Sequence, residues 1–175
     1  LDNFGITTLK DSKTGDETNS DRQFSSLVLG GMSYGVSPLE MAAAYGALAN
    51  GGNYIEPTVF TTITTFDGNL LVKSNPQENR VVSESVAYVI TDMLQAVVTE
   101  GIGKNASIGA MPVAGKTGTT NNALDCWFVG YTPYYVGATY IGDDAGTSIA
   151  RRSVVGTSGT VAKLWSNVMA PIHEN

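Results

Sequence analysis

The sequence runs to 175 residues, 42% hydrophobic and 15% charged, which suits one domain with a core of its own and does not fit a disordered tail. A net charge of −6 with ten basic residues scattered along the chain argues against a nucleic-acid partner, which needs a clustered basic surface. The single cysteine, Cys126, excludes an internal disulfide and any multi-cysteine metal site, and the single histidine, His173, stands so near the last residue that a histidine-based hydrolase would rest on a frayed, solvated side chain.

Residues 1–26 are polar, and Lys10 to Glu17 is dense in charge and turn formers, as in a surface excursion between short helical pieces. Ser37-Pro38-Leu39-Glu40 is a helix start with a serine cap, a proline at the first helical position and a glutamate closing the capping box. The helix is predicted to run to Asn50, stopped by Gly51-Gly52, and its apolar residues lie almost all round it, which implies burial on several sides. Between Tyr54 and Val72, two β-prone runs flank Asp67-Gly68, a hairpin signal for a peripheral ribbon. Ser83 caps a second helix that presents Val86, Val89, Ile90, Met93, Leu94 and Val97 on one face and ends at Gly101 and Gly103. Three strands follow, near 112–119, 125–130 and 134–141, whose short connections make an antiparallel meander. Cys126 falls inside the second of them as a small buried residue. A third helix, starting near Thr157 or Ser158, repeats the helical spacing at Val161, Leu164, Trp165, Val168, Met169 and Ile172. No apolar run of about 18 residues and no charged-then-apolar leader occurs, so this segment makes no membrane contact of its own.

Val113-Ala114-Gly115-Lys116-Thr117-Gly118-Thr119-Thr120 carries the chemistry, with a lysine between glycines, followed by hydroxyls, in a strand-like setting. Two enzyme classes use Lys-Thr among glycines, the phosphate loop and the third motif of penicillin-binding serine acyl-transferases. A phosphate loop needs a glycine where Ala110 stands, and a helix opening at the lysine where a strand is expected. Its remaining support is the pair Asp143 and Asp144 after an apolar strand, which turns also favour. A second Lys-Thr-Gly, Lys13 to Gly15, lacks apolar flanks and reads as a chance match in a loop.

Taken together, Gly35 to Ala42, Ala49-Asn50-Gly51-Gly52, Tyr54-Ile55-Glu56-Pro57, Gly115 to Thr120 and Asp125 to Pro133 resemble the carboxy-terminal part of the transpeptidase domain of bifunctional, class A penicillin-binding proteins. The resemblance covers most of the chain, in order. It implies a mixed α/β fold, an antiparallel sheet covered by helices on both faces, of which this chain supplies three carboxy-terminal strands of an expected five. Residues 1–175 would then be one portion of a single domain, with a helical part at 1–111, a peripheral hairpin near 54–73, and the strands and final helix at 112–175.

The resemblance also implies a serine D,D-transpeptidase that cross-links peptidoglycan stem peptides through an acyl-enzyme and is acylated by β-lactam antibiotics, without a metal or other cofactor. Lys116 would face the serine of a second motif and polarise the cleft. Thr117, Gly118, Thr119 and Thr120 would bind substrate, the hydroxyls of Thr117 and Thr119 taking its carboxylate, and the Thr119 amide would serve the oxyanion hole. The family's Ser-x-x-Lys and Ser-x-Asn occur nowhere in the sequence. The expectation is an upstream segment that carries both motifs, packs tightly against this chain, pairs with its last strand and anchors it at the extracytoplasmic face of the cell membrane. A catalytically silent, peptide-binding relative and a nucleotide hydrolase stay as alternatives at this point.

Overall fold

The computed structural model describes residues 1–10, 20–32, 34–120, 123–142 and 158–174. The second Lys-Thr-Gly at Lys13 to Gly15 and the pair Asp143 and Asp144 lie outside the described residues. Two short helices and their loops come first: α1 (Phe24–Leu29) and α2 (Pro38–Ala49). Four small strands follow, β1 (Asn53–Ile55), β2 (Thr62–Thr64), β3 (Leu70–Lys73) and β4 (Glu78–Arg80), then α3 (Glu84–Thr99). The principal sheet is β5 (Ala114–Thr119), β6 (Asp125–Tyr131) and β7 (Val136–Gly142), and α4 (Ser158–His173) is the last element. Strand order in that sheet is β5-β6-β7, all antiparallel, as the short connections require.

The caps are where the sequence puts them. Ser37 accepts from the Glu40 amide at 3.2 Å while the Glu40 carboxylate accepts from the Ser37 amide at 2.9 Å, and Ser83 accepts from the Val86 amide at 3.3 Å. Glu40 does more than cap its own helix, since its carboxylate also accepts from the amides of Thr7 and Thr8, at 2.8 and 3.0 Å, and from both threonine hydroxyls. The cap therefore ties the amino-terminal segment to α2. Partial burial alone would raise the Glu40 pKa, but the donors of Ser37, Thr8 and Thr7 hold the carboxyl at about 2, against an ordinary 4.5. A carboxylate depressed on folding stabilises the fold above pH 4.5, and that contribution is lost as pH falls from there toward 2. Glu40→Ala is expected to cost about 1–2 kcal/mol at neutral pH, with the gap to the parent protein narrowing across that acid window; urea unfolding at pH 7 and pH 3 measures both.

The Asp67-Gly68 hairpin is present as β2 and β3, with Gly68 at φ 83, shorter than the β-prone runs suggested and irregular between Ile63 and Thr64. Tyr54 and Ile55 belong to a separate ribbon, β1 paired with β4. Glu78-Asn79-Arg80 forms that partner strand without any apolar alternation, so its sequence carried no strand signal.

Both faces of the principal sheet are covered by helices. On one, Trp165 of α4 meets Phe128 edge-on, centroids 5.3 Å apart, and its indole N–H donates to the Gly137 carbonyl at 3.0 Å. On the other, Tyr131 meets Tyr45 of α2 and shares a 2.8 Å hydrogen bond with Thr91 of α3. The α4 side holds the main core, with Val98, Val113, Cys126, Phe128, Val161, Ala162, Trp165 and Met169 buried together.

Three glycines make that contact possible. Gly115, Gly130 and Gly137 are paired in register across the three strands, so they form one row on the α4 face. A methyl group at Gly115 would meet the Phe128 ring at 2.5 Å, one at Gly130 the same ring at 2.7 Å, and one at Gly137 the Trp165 indole at 2.8 Å. The two rings fill the space that three absent side chains leave.

Two helix faces differ from expectation. In α3 the buried residues are Ala87 and Val98, while Val86, Val89 and Met93 are exposed; in α4 Val161, Trp165 and Met169 are buried, and Leu164, Val168 and Ile172 are not. The small residues mark where the helices sit closest: Ala87 is buried with Val98 on α3, and Ala162 and Ser166 share the buried side of α4 with Val161, Trp165 and Met169. His173 also departs from the frayed end. One of its ring nitrogens lies 2.7 Å from the Met169 carbonyl and the other 2.9 Å from the Thr132 hydroxyl, and Tyr135 packs edge-on against the ring.

Candidate active site

Among the described residues strand β5 has a neighbour on one side only, so half of its backbone groups face outward. The Thr120 amide donates to the Asp125 carbonyl at 3.1 Å, toward β6. Alternation along an antiparallel strand then turns the N–H and C=O of Thr119 and Thr117 away from β6, to the open edge. The Thr119 N–H has no hydrogen-bond acceptor among the described residues. The outward Thr117 carbonyl accepts from the ammonium of Lys116 at 2.8 Å, which folds the lysine along this edge. Among the described residues no carboxylate lies within 4.0 Å of that ammonium, and the one ion pair, Arg22 with Asp2, is elsewhere.

The side chains divide between the two faces of the sheet. Lys116 stands opposite Val129, and Gly118 opposite Trp127, on the Tyr131 face. Thr117 and Thr119 share the other face, opposite Phe128 and Cys126. Thr119 is exposed and Thr117 is only 5% so, and neither hydroxyl has a partner among the described residues. Gly118 leaves Trp127 room: a methyl there would come within 3.3 Å of the Trp127 Cβ. Gly115, by contrast, serves the core, under the Phe128 ring. Thr120 is the residue whose surroundings differ most from the others. Its hydroxyl accepts from the Asp125 amide at 2.9 Å and lies 3.4 Å from the Asp125 carboxylate, so it is engaged within the chain.

Sequence reasoning passed over the support behind this edge. Tyr140 donates to the Asp125 carboxylate at 2.7 Å and packs against Trp127, centroids 4.7 Å apart and the rings tilted by 46°. The signal was available: counting outward from the turn at Thr132 to Tyr135 sets Trp127 opposite Tyr140 and Asp125 opposite Gly142. The strand continues through Lys116 and Thr117 into Thr119, with no helix opening there, so the phosphate-loop reading has no place in this fold.

This antiparallel sheet between helices, edged by a strand with a lysine and threonines, is an arrangement that overlays solved penicillin-binding proteins. A structure of penicillin-binding protein 1A from Haemophilus influenzae overlays all of the chain with TM-score 0.75 at 22% identity, using 30% of that protein. The PonA1 protein from Mycobacterium tuberculosis, solved in complex with penicillin V, overlays 86% of the chain with TM-score 0.74 at 26% identity, using 41% of that protein. The family model for the penicillin binding protein transpeptidase domain matches residues 1–154. Penicillin-binding protein 1A of Clostridium botulinum is 38% identical over 151 residues, 86% of the chain, and that of Clostridium acetobutylicum 35% over 173 residues, 98% of it. The chain belongs to the penicillin-binding protein transpeptidase domain family, on its class A branch. It spans 18–20% of the length of these two relatives.

Proposed function

We propose that these residues form one part of a serine D,D-transpeptidase domain that cross-links peptidoglycan stem peptides at the extracytoplasmic face of the membrane and is acylated by β-lactams. The observation that carries the reading is the edge of β5, where an unpartnered Thr119 amide, two unpartnered threonine hydroxyls and a lysine without a counter-ion, all as judged among the described residues, lie within four positions. In the reaction a serine oxygen adds to the substrate carbonyl, the carbonyl oxygen gains negative charge, and the carbon–nitrogen bond then breaks as the leaving amine takes a proton. The Thr119 N–H donates to that oxygen, Thr117 and Thr119 hydroxyls receive the carboxylate beyond the scissile bond, Gly118 keeps the approach to the backbone open, and Lys116 supplies positive potential and meets the second-motif serine. Thr120 acts one step back, holding the strand end through Asp125.

The serine is not among these 175 residues in a Ser-x-x-Lys setting. It belongs, on this reading, to a segment that precedes Leu1 in the same gene product, carries Ser-x-Asn as well and includes the membrane anchor. Intact-mass spectrometry after incubation with benzylpenicillin tests the assignment. The 175-residue chain alone should gain no adduct, and the product that includes the serine segment should gain one penicillin. An adduct on the short chain, or none on the longer product, would sink it; the second result is the one a silent peptide-binding relative gives.

A further inference from the structure

We propose that Asp125 is a positioning residue for acylation, acting through Thr120 and Tyr140 to hold the end of β5 and with it the aim of the Thr119 amide. This rests on the function proposed above. Four contacts converge on this residue. Its amide donates to the Thr120 hydroxyl at 2.9 Å, its carbonyl accepts from the Thr120 amide at 3.1 Å, one carboxylate oxygen lies 3.4 Å from the Thr120 hydroxyl, and the other accepts from Tyr140 at 2.7 Å. Asp125 therefore clamps the strand at the residue that follows Thr119, and braces that clamp against β7.

Two further observations show that the arrangement is built in rather than incidental. Gly142 stands opposite Asp125, and a side chain on it would run into the Tyr140 hydroxyl and come within 3.0 Å of the Asp125 carboxylate. The glycine is what lets the phenol lie across the strand. In the connection itself, Ala123 adopts φ 49, a conformation that alanine takes only when its surroundings impose it, and its amide donates to the Thr120 carbonyl at 3.0 Å. Ala123 and Asp125 thus hold Thr120 at its carbonyl, amide and hydroxyl. Tyr140 in turn packs its tilted ring against Trp127, and Trp127 stands opposite Gly118. One carboxylate thereby sets both the strand end and the aromatic wall next to it. A displacement of about 1 Å at a reacting group costs on the order of 100-fold in rate, so a loosened clamp reads out in chemistry before it reads out in folding.

The test uses the full-length protein with its serine segment and measures labelling by fluorescent penicillin V, recording both the rate constant of acylation and the fraction of molecules finally labelled. Asp125→Ala should lower the rate constant about 10- to 100-fold while the labelled fraction stays at the parent level. Tyr140→Phe, which keeps the ring contact with Trp127 and removes one donor, should lower it a few-fold in the same way. If Asp125→Ala does not fold, the Tyr140→Phe rate decides. A reduced labelled fraction with an unchanged rate constant means a role in folding alone and overturns the proposal, as does labelling at the parent rate. A parent protein that takes no label overturns the functional reading itself, and this proposal with it.

Discussion

Trp165→Ala is expected to cost about 3–5 kcal/mol of folding stability, the range for truncating a buried aromatic. Domains of this size are stable by about 5–15 kcal/mol, so the loss is a large part of the total. The indole is 1% exposed, meets Phe128 edge-on, and donates to the Gly137 carbonyl at 3.0 Å. Removing it takes away the ring that fills the place of the Gly137 side chain, and the flat strand beneath has no side chain to move into the hole. Trp165→Phe separates the two contributions: it keeps most of the filling and leaves the carbonyl without its indole donor, a loss of about 1 kcal/mol for the hydrogen bond. Urea unfolding of the protein provides the measurement, and a change below about 1 kcal/mol for the alanine variant would contradict the packing described.

Thr119→Pro should leave the fold nearly intact and abolish most of the chemistry. Proline removes the backbone N–H, and at this position that N–H points away from β6, so the β5–β6 ladder keeps its bonds. If that amide serves the oxyanion, acylation by penicillin should fall by about 100- to 1,000-fold in the full-length protein, the loss typical for one such donor. Thr119→Ala is the control, since it discards the hydroxyl and keeps the amide; it should weaken binding of the carboxylate with a much smaller effect on the rate of acylation. Equal rates for the proline and alanine variants would remove the amide from the mechanism. The contrast with Trp165 is informative, because one substitution empties the core and leaves the edge chemistry in place, while the other does the reverse.

Local and short-range features were legible in the sequence. Ser37 and Ser83 announced their helices through capping chemistry that needs only a few neighbouring residues. The meander β5-β6-β7 followed from the short connections, and the place of Lys116 and Thr119 on its outer strand followed from chain order. What was hidden depends on residues far apart. The hydrogen bonds from Thr7 and Thr8 to Glu40 span more than thirty residues, and no local pattern signals them. The inward side of α3 was misjudged, and that of α4 read correctly only at Val161, Trp165 and Met169, because both helices are apolar over more than one side. Periodicity ranks residues by hydrophobicity, whereas close approach favours the small ones, Ala87 and Ala162. In the candidate site, the residues of β5 were named through the family resemblance, which needs only their order along one strand. The brace of Asp125, Tyr140 and Trp127 required strand register, which a sequence yields only by counting from a turn.

The row Gly115, Gly130 and Gly137 bears on how this protein can vary. Glycine in a strand is ordinarily the weakest choice, open to improvement by almost any β-branched residue. Here each position is occupied by a neighbour's ring, so the usual stabilising replacements would collide with Phe128 or Trp165. Relief at Gly130 or Gly137 would need a smaller ring and a larger strand residue to arrive together, within β6 itself for Gly130 and Phe128 and between β7 and α4 for Gly137 and Trp165. At Gly115 the Val129 carbonyl stands in the way as well, 2.9 Å from an added methyl. A variant library scored one position at a time should therefore find these three sites nearly closed, with replacements at Gly130 or Gly137 recovered only as coupled pairs that include residue 128 or 165.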